Sequence, residues 1–142
     1  MSNVNKLIFS FIIILYTHCI KPPTYDTTPY IRYEKLSSPI TQRADSTFYF
    51  SAFYEDGEGD LHIVVYQDSR KLFLGPDTFL VPEISPRSGI DDISGYMYIY
   101  PFNTLCLNTE ADTFYYTFSV IDRQGHISNQ DTTDSIIIYC NP

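Results

Sequence analysis

The stretch TFYFSAFYEDGEGDLHIVVYQ, residues 47–67, decides the fold class. Every second residue from Phe48 to Tyr54 is apolar, and this period of two, rich in aromatic residues, is typical of a half-buried β-strand. The polar run EDGEGD at residues 55–60 supplies the glycine and aspartate residues of a turn. A second apolar run, Leu61–Gln67, follows, so the stretch predicts two strands joined by an acidic loop.

The same criteria, applied outward from this stretch, predict about seven strands, and no segment has the 3.6-residue period of a helix. The predicted strands, with two weak ones on either side of Gly75-Pro76, are Tyr30–Leu36, Ser46–Glu55, Leu61–Gln67, Lys71–Gly75, Thr78–Val81, Gly95–Phe102, Asp112–Asp122 and Ser135–Cys140. In the third strand, Leu61, Ile63 and Val65 are expected to face the core. Short strands separated by turns favour an all-β fold, an antiparallel immunoglobulin-like sandwich over residues 30–142.

Length and composition agree with one such domain. The chain has 142 residues, with 13 Tyr, 10 Phe and no Trp. Its formal net charge is −8, which argues against a nucleic-acid partner because phosphates require clustered Lys and Arg. The sequence has no phosphate loop, nucleophile elbow or zinc-protease motif. We therefore expect a protein that is not an enzyme and that needs no cofactor, with calcium as the one candidate ion.

The first 18 residues are predicted to be a lipoprotein signal peptide. Lys6 precedes an apolar run, Leu7–Tyr16, which is too short to span a bilayer but fits a secretory signal. Cys19 follows this run as in a lipobox, where the thiol is lipidated and the chain is cut before the cysteine. Tyr16 and His18 depart from the usual lipobox residues, so an uncleaved anchor or an ordinary signal peptide stays the alternative.

Residues 19–29 are predicted to be a tether between the lipid and the domain. The segment lacks apolar periodicity and contains Pro22, Pro23 and Pro29, which favours an extended chain. At roughly 3.1 Å per residue it would reach about 34 Å. These features predict a protein anchored in the outer membrane or another envelope membrane. Lys21, in place of acidic residues close to the anchor, favours the periplasmic side.

Three segments carry a family resemblance. Phe50–Leu61 ends in an Asp-Gly-Glu-Gly-Asp loop, Phe118–Asn129 contains Asp-x-x-Gly-x-x-Ser-Asn, and Ile136–Cys140 is a terminal strand closed by a cysteine. In this order, behind a proline-rich tether, they resemble small uncharacterised lipoproteins of the Bacteroidota type, over nearly the whole mature chain. Similar strand ends occur in cadherin-like and other immunoglobulin-like bacterial modules. The resemblance implies an immunoglobulin-like sandwich and no established activity.

The acidic loop is the first candidate site. An immunoglobulin-like topology would bring its carboxylates to the same end of the domain as the turn after the penultimate strand, and such oxygens suit calcium. The candidate calcium ligands are Asp56, Glu58, Asp60 and Asp122. The alternative is a solvated turn in which Gly adopts positive φ and Asp caps backbone N–H groups. His62 and His126 are expected to be exposed polar residues rather than metal ligands.

Cys106 and Cys140 are predicted to form a disulfide. An exported protein folds in an oxidising compartment. Cys106 precedes the penultimate predicted strand and Cys140 closes the last one, so antiparallel pairing of the two strands would bring the thiols together. The alternative is two separate thiols.

The second candidate site is a row of three tyrosines. Tyr96, Tyr98 and Tyr100 alternate along one predicted strand and would share one face, with Met97 and Ile99 on the other. Tyrosine is amphipathic and enriched at binding surfaces, so the row could bind a protein or glycan partner. The alternative is ordinary cross-strand packing on a half-exposed sheet, or cover of the tyrosines by a neighbouring strand.

Overall fold

A computed structural model describes residues 23–71, 75–82, 92–101, 106–108 and 110–140. Within these ranges the chain forms strands and no helix, and therefore no helix long and apolar enough to cross a membrane. The strands are β1 (Tyr30–Leu36), β2 (Ile40–Gln42), β3 (Phe50–Asp56), β4 (Leu61–Asp68), β5 (Asp77–Leu80), β6 (Ile93–Ile99), β7 (Ala111–Phe114), β8 (Tyr116–Asp122), β9 (Asp131–Thr132) and β10 (Ile136–Tyr139).

The prediction of an all-β fold is confirmed for the described residues. β1 has the predicted bounds, and β3, β4, β5, β6 and β10 overlap the strands predicted for them. The predicted strand Asp112–Asp122 is divided at Tyr115 into β7 and β8, and the short strands β2 and β9 were not predicted. The weak strand predicted at Lys71–Gly75 lies partly outside the described residues.

The strands form three sheets, in the orders β1-β3-β6, β2-β10-β7 and β5-β4-β8-β9. Their pairings are antiparallel except that β2 and β10 are parallel. Because the strand breaks at Tyr115, β7 and β8 belong to different sheets: β7 pairs with β10, and β8 pairs with β4. Ser69 fixes this break, because its N–H donates to the carbonyl of Tyr115 at 3.0 Å and its hydroxyl accepts the N–H of Tyr115 at 3.1 Å.

One hydrophobic core receives side chains from all three sheets. The ring of Phe50 in β3 lies 5.7 Å from that of Tyr116 and 5.0 Å from that of Phe118, measured between centroids, so aromatic contacts join two of the sheets. The buried apolar residues of the two best predicted strands are Phe48, Phe50, Ala52, Tyr54, Phe114, Tyr116, Phe118 and Val120. The period of two therefore identified both core faces correctly.

Strand β4 departs from the prediction. Leu61 is buried, but Ile63 and Val65 are only partly buried, whereas Val64 and Tyr66 lie in the core. The register between β4 and β8 shifts just after Leu61. One extra residue in a strand moves every following side chain to the opposite face. The predicted inward orientation of Ile63 and Val65 was therefore wrong.

Side chains close the outer edge of β1. The amide of Asn129 accepts the N–H of Ile31 at 2.9 Å and donates to the carbonyl of Ile31 at 2.7 Å. The carboxylate of Asp131 accepts the N–H of Tyr33 at 2.6 Å. An edge strand with unpaired backbone groups is prone to pair with another chain. Asn129, the last residue of the Asp-x-x-Gly-x-x-Ser-Asn pattern, thus has a structural role, because its side chain makes the two backbone hydrogen bonds that a neighbouring strand would make with Ile31.

The end of the predicted tether is attached to the domain. The carbonyl of Asp26 accepts the N–H of Gly57 at 2.8 Å. The N–H of Tyr25 donates to the carboxylate of Asp92 at 2.6 Å, and its hydroxyl donates to Ser94 at 2.9 Å. Gly57 is required at this contact, because a Cβ atom there would lie 2.6 Å from the carbonyl oxygen of Tyr25. Residues 25 and 26 therefore lie against the acidic loop and the start of β6.

Candidate functional site

The tyrosine row lies on the exposed face of β6. Tyr96, Tyr98 and Tyr100 are 60%, 53% and 51% exposed, whereas Ile99 is fully buried. β6 pairs with β3 on one side and is the last described strand of its sheet on the other. The predicted division of the strand into an inner and an outer face is therefore confirmed. A neighbouring strand does not cover the three rings, because each side chain is at least half exposed.

Two aromatic side chains from the β3 segment support the row. The ring of Tyr49 lies 5.4 Å from that of Tyr98, nearly perpendicular to it, and 5.4 Å from that of Tyr100. The ring of Phe53 lies 5.5 Å from that of Tyr96. Edge-to-face contacts at such distances are favourable and orient the rings. The row is therefore a surface of fixed shape rather than three independent side chains.

An apolar groove adjoins the same strand. Its cavity has a volume of about 240 Å³ and lies between β6 and the edge of the other sheet formed by β4 and β5. Its lining residues are Tyr54, Leu61, Phe79, Val81, Pro82, Tyr96, Met97 and Tyr98. Tyr96 and Tyr98 thus belong to both the exposed face and the groove. The chain between residues 82 and 92 lies outside the described residues.

The acidic loop and the turn after β8 meet at one end of the domain, as the calcium prediction required. The N–H of Arg123 donates to the carbonyl of Asp60 at 3.1 Å, and Gln124 is hydrogen-bonded to Glu58. Leu61 pairs directly with Asp122. The four carboxylates that the sequence singled out therefore lie at the same end of the domain, although among the described residues only Glu58 and Asp122, together with His126, bring ligand atoms within 4.8 Å of one another.

The loop also has the features of the alternative interpretation, a capped turn. The carboxylate of Asp56, itself fully buried, accepts the N–H groups of Glu58 at 3.4 Å and Asp60 at 2.9 Å. Gly59 has a φ of 67°, which glycine adopts without strain. Both oxygens of Asp56 are thus used within the loop. Both oxygens of Asp122 are also engaged, one by the backbone N–H of His126 and the other by its ring, so two of the four predicted ligands already have partners.

Asp60 is the carboxylate with an unsatisfied oxygen. Its Oδ1 atom is buried and has no hydrogen-bond partner among the described residues. Burial raises the pKa of Asp60 above its ordinary value, and the negative charges of Asp122 and Glu58 act in the same direction. Burial likewise raises the pKa of Asp56. A cation here would relieve both the missing partner and the repulsion between like charges.

His126 has a specific partner that the sequence did not reveal. The ring Nδ1 atom of His126 lies 2.7 Å from the carboxylate of Asp122, and the backbone N–H of His126 donates to the same carboxylate at 2.8 Å. Hydrogen bonding and attraction to Asp122 raise the pKa of His126 above its ordinary value. Ligand atoms of Glu58, Asp122 and His126 lie within 4.8 Å of one another, but Asp122 is already paired with His126. The side chain of His126 is 41% exposed, in line with the expectation of an exposed polar residue, and its bonds to Asp122 close this turn.

Cys106 and Cys140 form the predicted disulfide at the other end of the domain, with their Cα atoms 5.6 Å apart. β7 and β10 pair antiparallel, with Tyr139 opposite Ala111, and the N–H of Cys140 donates to the carbonyl of Glu110 at 3.0 Å. This is the arrangement expected from the positions of the cysteines along the strands. The disulfide therefore holds the beginning of β7 beside the end of β10.

A buried ionic network beside the disulfide was missed at the level of sequence. Arg70 donates to Asp68 through Nε at 3.0 Å and Nη2 at 2.6 Å, and to Asp112 through Nη1 at 3.2 Å. Its guanidinium also lies 3.8 Å from the ring centroid of Phe114. Burial opposes ionisation of Asp112, but the N–H groups of Leu107 and Asn108 together with Arg70 lower its pKa below the ordinary value. The sequence carries no signal for the link between Arg70 and Asp112, because these two residues are 42 positions apart.

The lipidation site predicted at Cys19 and the signal peptide lie outside the described residues. The described part of the chain defines a class, a mainly antiparallel all-β protein with an exposed tyrosine row and a disulfide. No protein-family model and no curated protein matches this sequence.

Proposed function

We propose that the protein is a lipid-anchored, non-catalytic binding domain of the cell envelope, and that the tyrosine row of β6 is its contact surface. The observation that carries this proposal is that the rings of Tyr96, Tyr98 and Tyr100 are exposed and are already oriented by contacts with neighbouring aromatic rings. Contiguous exposed apolar patches mark binding sites more often than apolar residues scattered singly do. Rings that are fixed in advance lose little entropy when a partner covers them.

The proposed domain is an immunoglobulin-like sandwich. Two features support this: the sheets β1-β3-β6 and β5-β4-β8-β9 share one core, and β2 runs parallel to β10 beside them. The lipid anchor at Cys19 and the periplasmic orientation rest on the sequence pattern of residues 6–23. Intact mass of the protein taken from membranes tests the anchor, because the mature chain would begin at Cys19 with added acyl mass. A chain that retains Met1 would contradict it.

The binding function is tested with the full chain and envelopes of the cells that produce it. Fluorescently labelled protein is expected to bind these envelopes with saturation. The triple variant Tyr96→Ser/Tyr98→Ser/Tyr100→Ser should lose this binding, whereas Tyr115→Ser, which changes a tyrosine that is 44% exposed elsewhere, should keep it. Equal binding by the triple variant and the wild type would refute the role of the row. Circular dichroism of both variants verifies that they are folded.

The calcium-stabilised adhesion module is the second candidate function, and the buried, unpartnered Oδ1 atom of Asp60 favours it. A thermal melt of the wild type in Ca²⁺ and in chelator measures the effect. Calcium should raise the melting temperature, and Asp60→Asn should remove the increase, since it removes a charged ligand without changing the size of the side chain. A melting temperature that is the same in Ca²⁺ and in chelator would contradict calcium binding.

A further inference from the structure

A cluster of three metal-binding side chains lies where the acidic loop meets the turn after β8. Glu58, Asp122 and His126 each offer one ligand atom, and the three atoms lie within 4.8 Å of one another. Ligands at about 2.1 Å from a tetrahedral ion are separated from each other by roughly 3.4 Å. Asp122 and His126 already approach to 2.7 Å, measured from Oδ2 to Nδ1. A side-chain movement of Glu58 on the order of 1 Å would therefore bring all three within reach of one ion.

The fold holds two of these groups together and positions the third. The side chain of Asp122 is fully buried, and its Oδ1 atom accepts the backbone N–H of His126 at 2.8 Å. The imidazole of His126 thus lies beside the remaining oxygen of Asp122. Glu58 is partly buried and accepts a hydrogen bond from Gln124, which belongs to the same turn. An ion would therefore bind with little reorganisation of the backbone.

Asp60 provides an independent indication of a cation at this end of the domain. Its Oδ1 atom is buried and has no hydrogen-bond partner among the described residues. Burial, and after it the negative charges of Asp122 and Glu58, raise the pKa of Asp60, so these carboxylates repel one another. A divalent ion offsets such repulsion, and the water molecules that it carries are O–H donors of the kind that Oδ1 lacks.

The donor set favours a transition-metal ion over calcium. Zn²⁺ binds imidazole nitrogen and carboxylate oxygen and is usually four-coordinate, so three side chains and one water complete its shell. Ca²⁺ instead requires six to eight oxygen ligands. Among the carboxylates predicted for calcium, those of Asp56 and Asp122 already have hydrogen-bond partners, which leaves few free oxygens for calcium.

We propose that Glu58, Asp122 and His126 bind Zn²⁺, with water as the fourth ligand. The ion takes the place of the hydrogen bond between the ring of His126 and Asp122, and the neutral imidazole is the form that binds. It links the loop between β3 and β4 to the turn after β8 and so stabilises this end of the domain. The site shares no residue with the tyrosine row and does not depend on the proposed binding function.

Isothermal titration calorimetry with ZnCl₂ tests the site on the full-length protein in detergent, after treatment with a chelator and its removal. The wild type should bind one equivalent of Zn²⁺ more than His126→Gln, and this comparison cancels any ion held by His18 or Cys19. Glu58→Gln should weaken the dissociation constant of the same equivalent at least about tenfold. His62→Gln removes a histidine outside the cluster and is the matched control, so it should bind Zn²⁺ as the wild type does.

The two cluster variants and a calcium competition make the proposal refutable. Circular dichroism verifies folding, and Glu58→Gln leaves the bonds between Asp122 and His126 in place, so it tests the site even where His126→Gln disturbs the turn. Equal Zn²⁺ binding by the wild type and either folded cluster variant overturns the proposal. Displacement of the ion by a roughly hundredfold excess of Ca²⁺ also overturns it, because an oxygen-only site would then be present. Loss of binding in both variants, with Zn²⁺ retained by the wild type in this excess of Ca²⁺, is the expected result.

Discussion

Removing the disulfide should destabilise the domain strongly while leaving its folded structure in place. In the double variant Cys106→Ser/Cys140→Ser, the link between residues that are 34 positions apart is lost. The chain-entropy model assigns about 4 kcal/mol to closing a loop of this length in the unfolded state. Because whole domains are stable by only about 5–15 kcal/mol, this is a large fraction of the total.

The folded state should survive because other contacts hold the same region. Asp112 accepts the N–H of Leu107 at 2.7 Å and that of Asn108 at 3.1 Å, so the chain next to Cys106 stays attached to β7. The N–H of Cys140 remains bonded to Glu110. The variant therefore acts mainly by raising the conformational entropy of the unfolded chain, and the loop-closure value of about 4 kcal/mol applies under this condition.

Urea denaturation at 25 °C, followed by far-ultraviolet circular dichroism, measures the free energy of unfolding. The double variant should lose about 4 kcal/mol relative to the oxidised wild type, and reduced wild type should resemble the variant. In a thermal melt the same change would lower the melting temperature by roughly 12–20 °C for a domain of this size. A loss below about 1 kcal/mol would refute the loop-entropy reasoning. More than one free thiol in the native wild type would refute the disulfide itself, since Cys19 can contribute one thiol at most.

Three further predictions concern the two ends of the domain. Because Asp122 raises the pKa of His126, the pair stabilises the fold fully below the unfolded pKa of about 6.5, and this stabilisation is lost as the pH rises through the folded pKa. The melting temperature of Asp122→Asn should therefore depend less on pH between pH 5.5 and 8.5 than that of the wild type. Asp112→Ala leaves the N–H groups of Leu107 and Asn108 and the Nη1 of Arg70 without an acceptor, while Arg70 keeps its bonds to Asp68, so the unfolding free energy in urea should fall by about 2–4 kcal/mol. Gly57→Ala should detach the tether, because the new Cβ atom would collide with the backbone oxygens of Tyr25 and Asp26. Hydrogen exchange of the amide at position 57 should become faster, while the free energy of unfolding of the domain should fall by only about 1 kcal/mol.

The parts of the fold that follow from local alternation were predictable. The aromatic strand that ends at Tyr54 and the stretch from Phe114 to Val120 each place every second residue in the core. The outward tyrosines of β6 follow from the same rule. The disulfide was predictable because its cysteines flank two strands that pair antiparallel. In all these cases the deciding information lies within a few residues of one strand.

The remaining features depend on contacts between distant segments. The register shift after Leu61 reverses the faces of β4, and the break at Tyr115 follows from its bonds with Ser69 rather than from its own properties. The short strand β2 exists because Ile40–Gln42 lies beside β10. Likewise, Asn129 is a strand mimic only because the edge of β1 lies beside it. Period and turn chemistry cannot reveal partners that are about 100 residues away.

The attachment of Tyr25 and Asp26 to the domain changes the geometry of the proposed anchor. Only residues 19–24 would remain as a free tether, and at roughly 3.1 Å each they reach about 19 Å instead of 34 Å. Because Tyr25 bonds to Asp92 and Ser94, β6 begins at the anchored end. From there the strand leads away along successive tyrosines toward the disulfide end, which would stand farthest from the bilayer. In a lipid-anchored protein, Tyr100 would then be the ring of the row that lies farthest from the membrane. A short tether favours this arrangement, because it restricts the domain to orientations in which β6 leads away from the lipid surface.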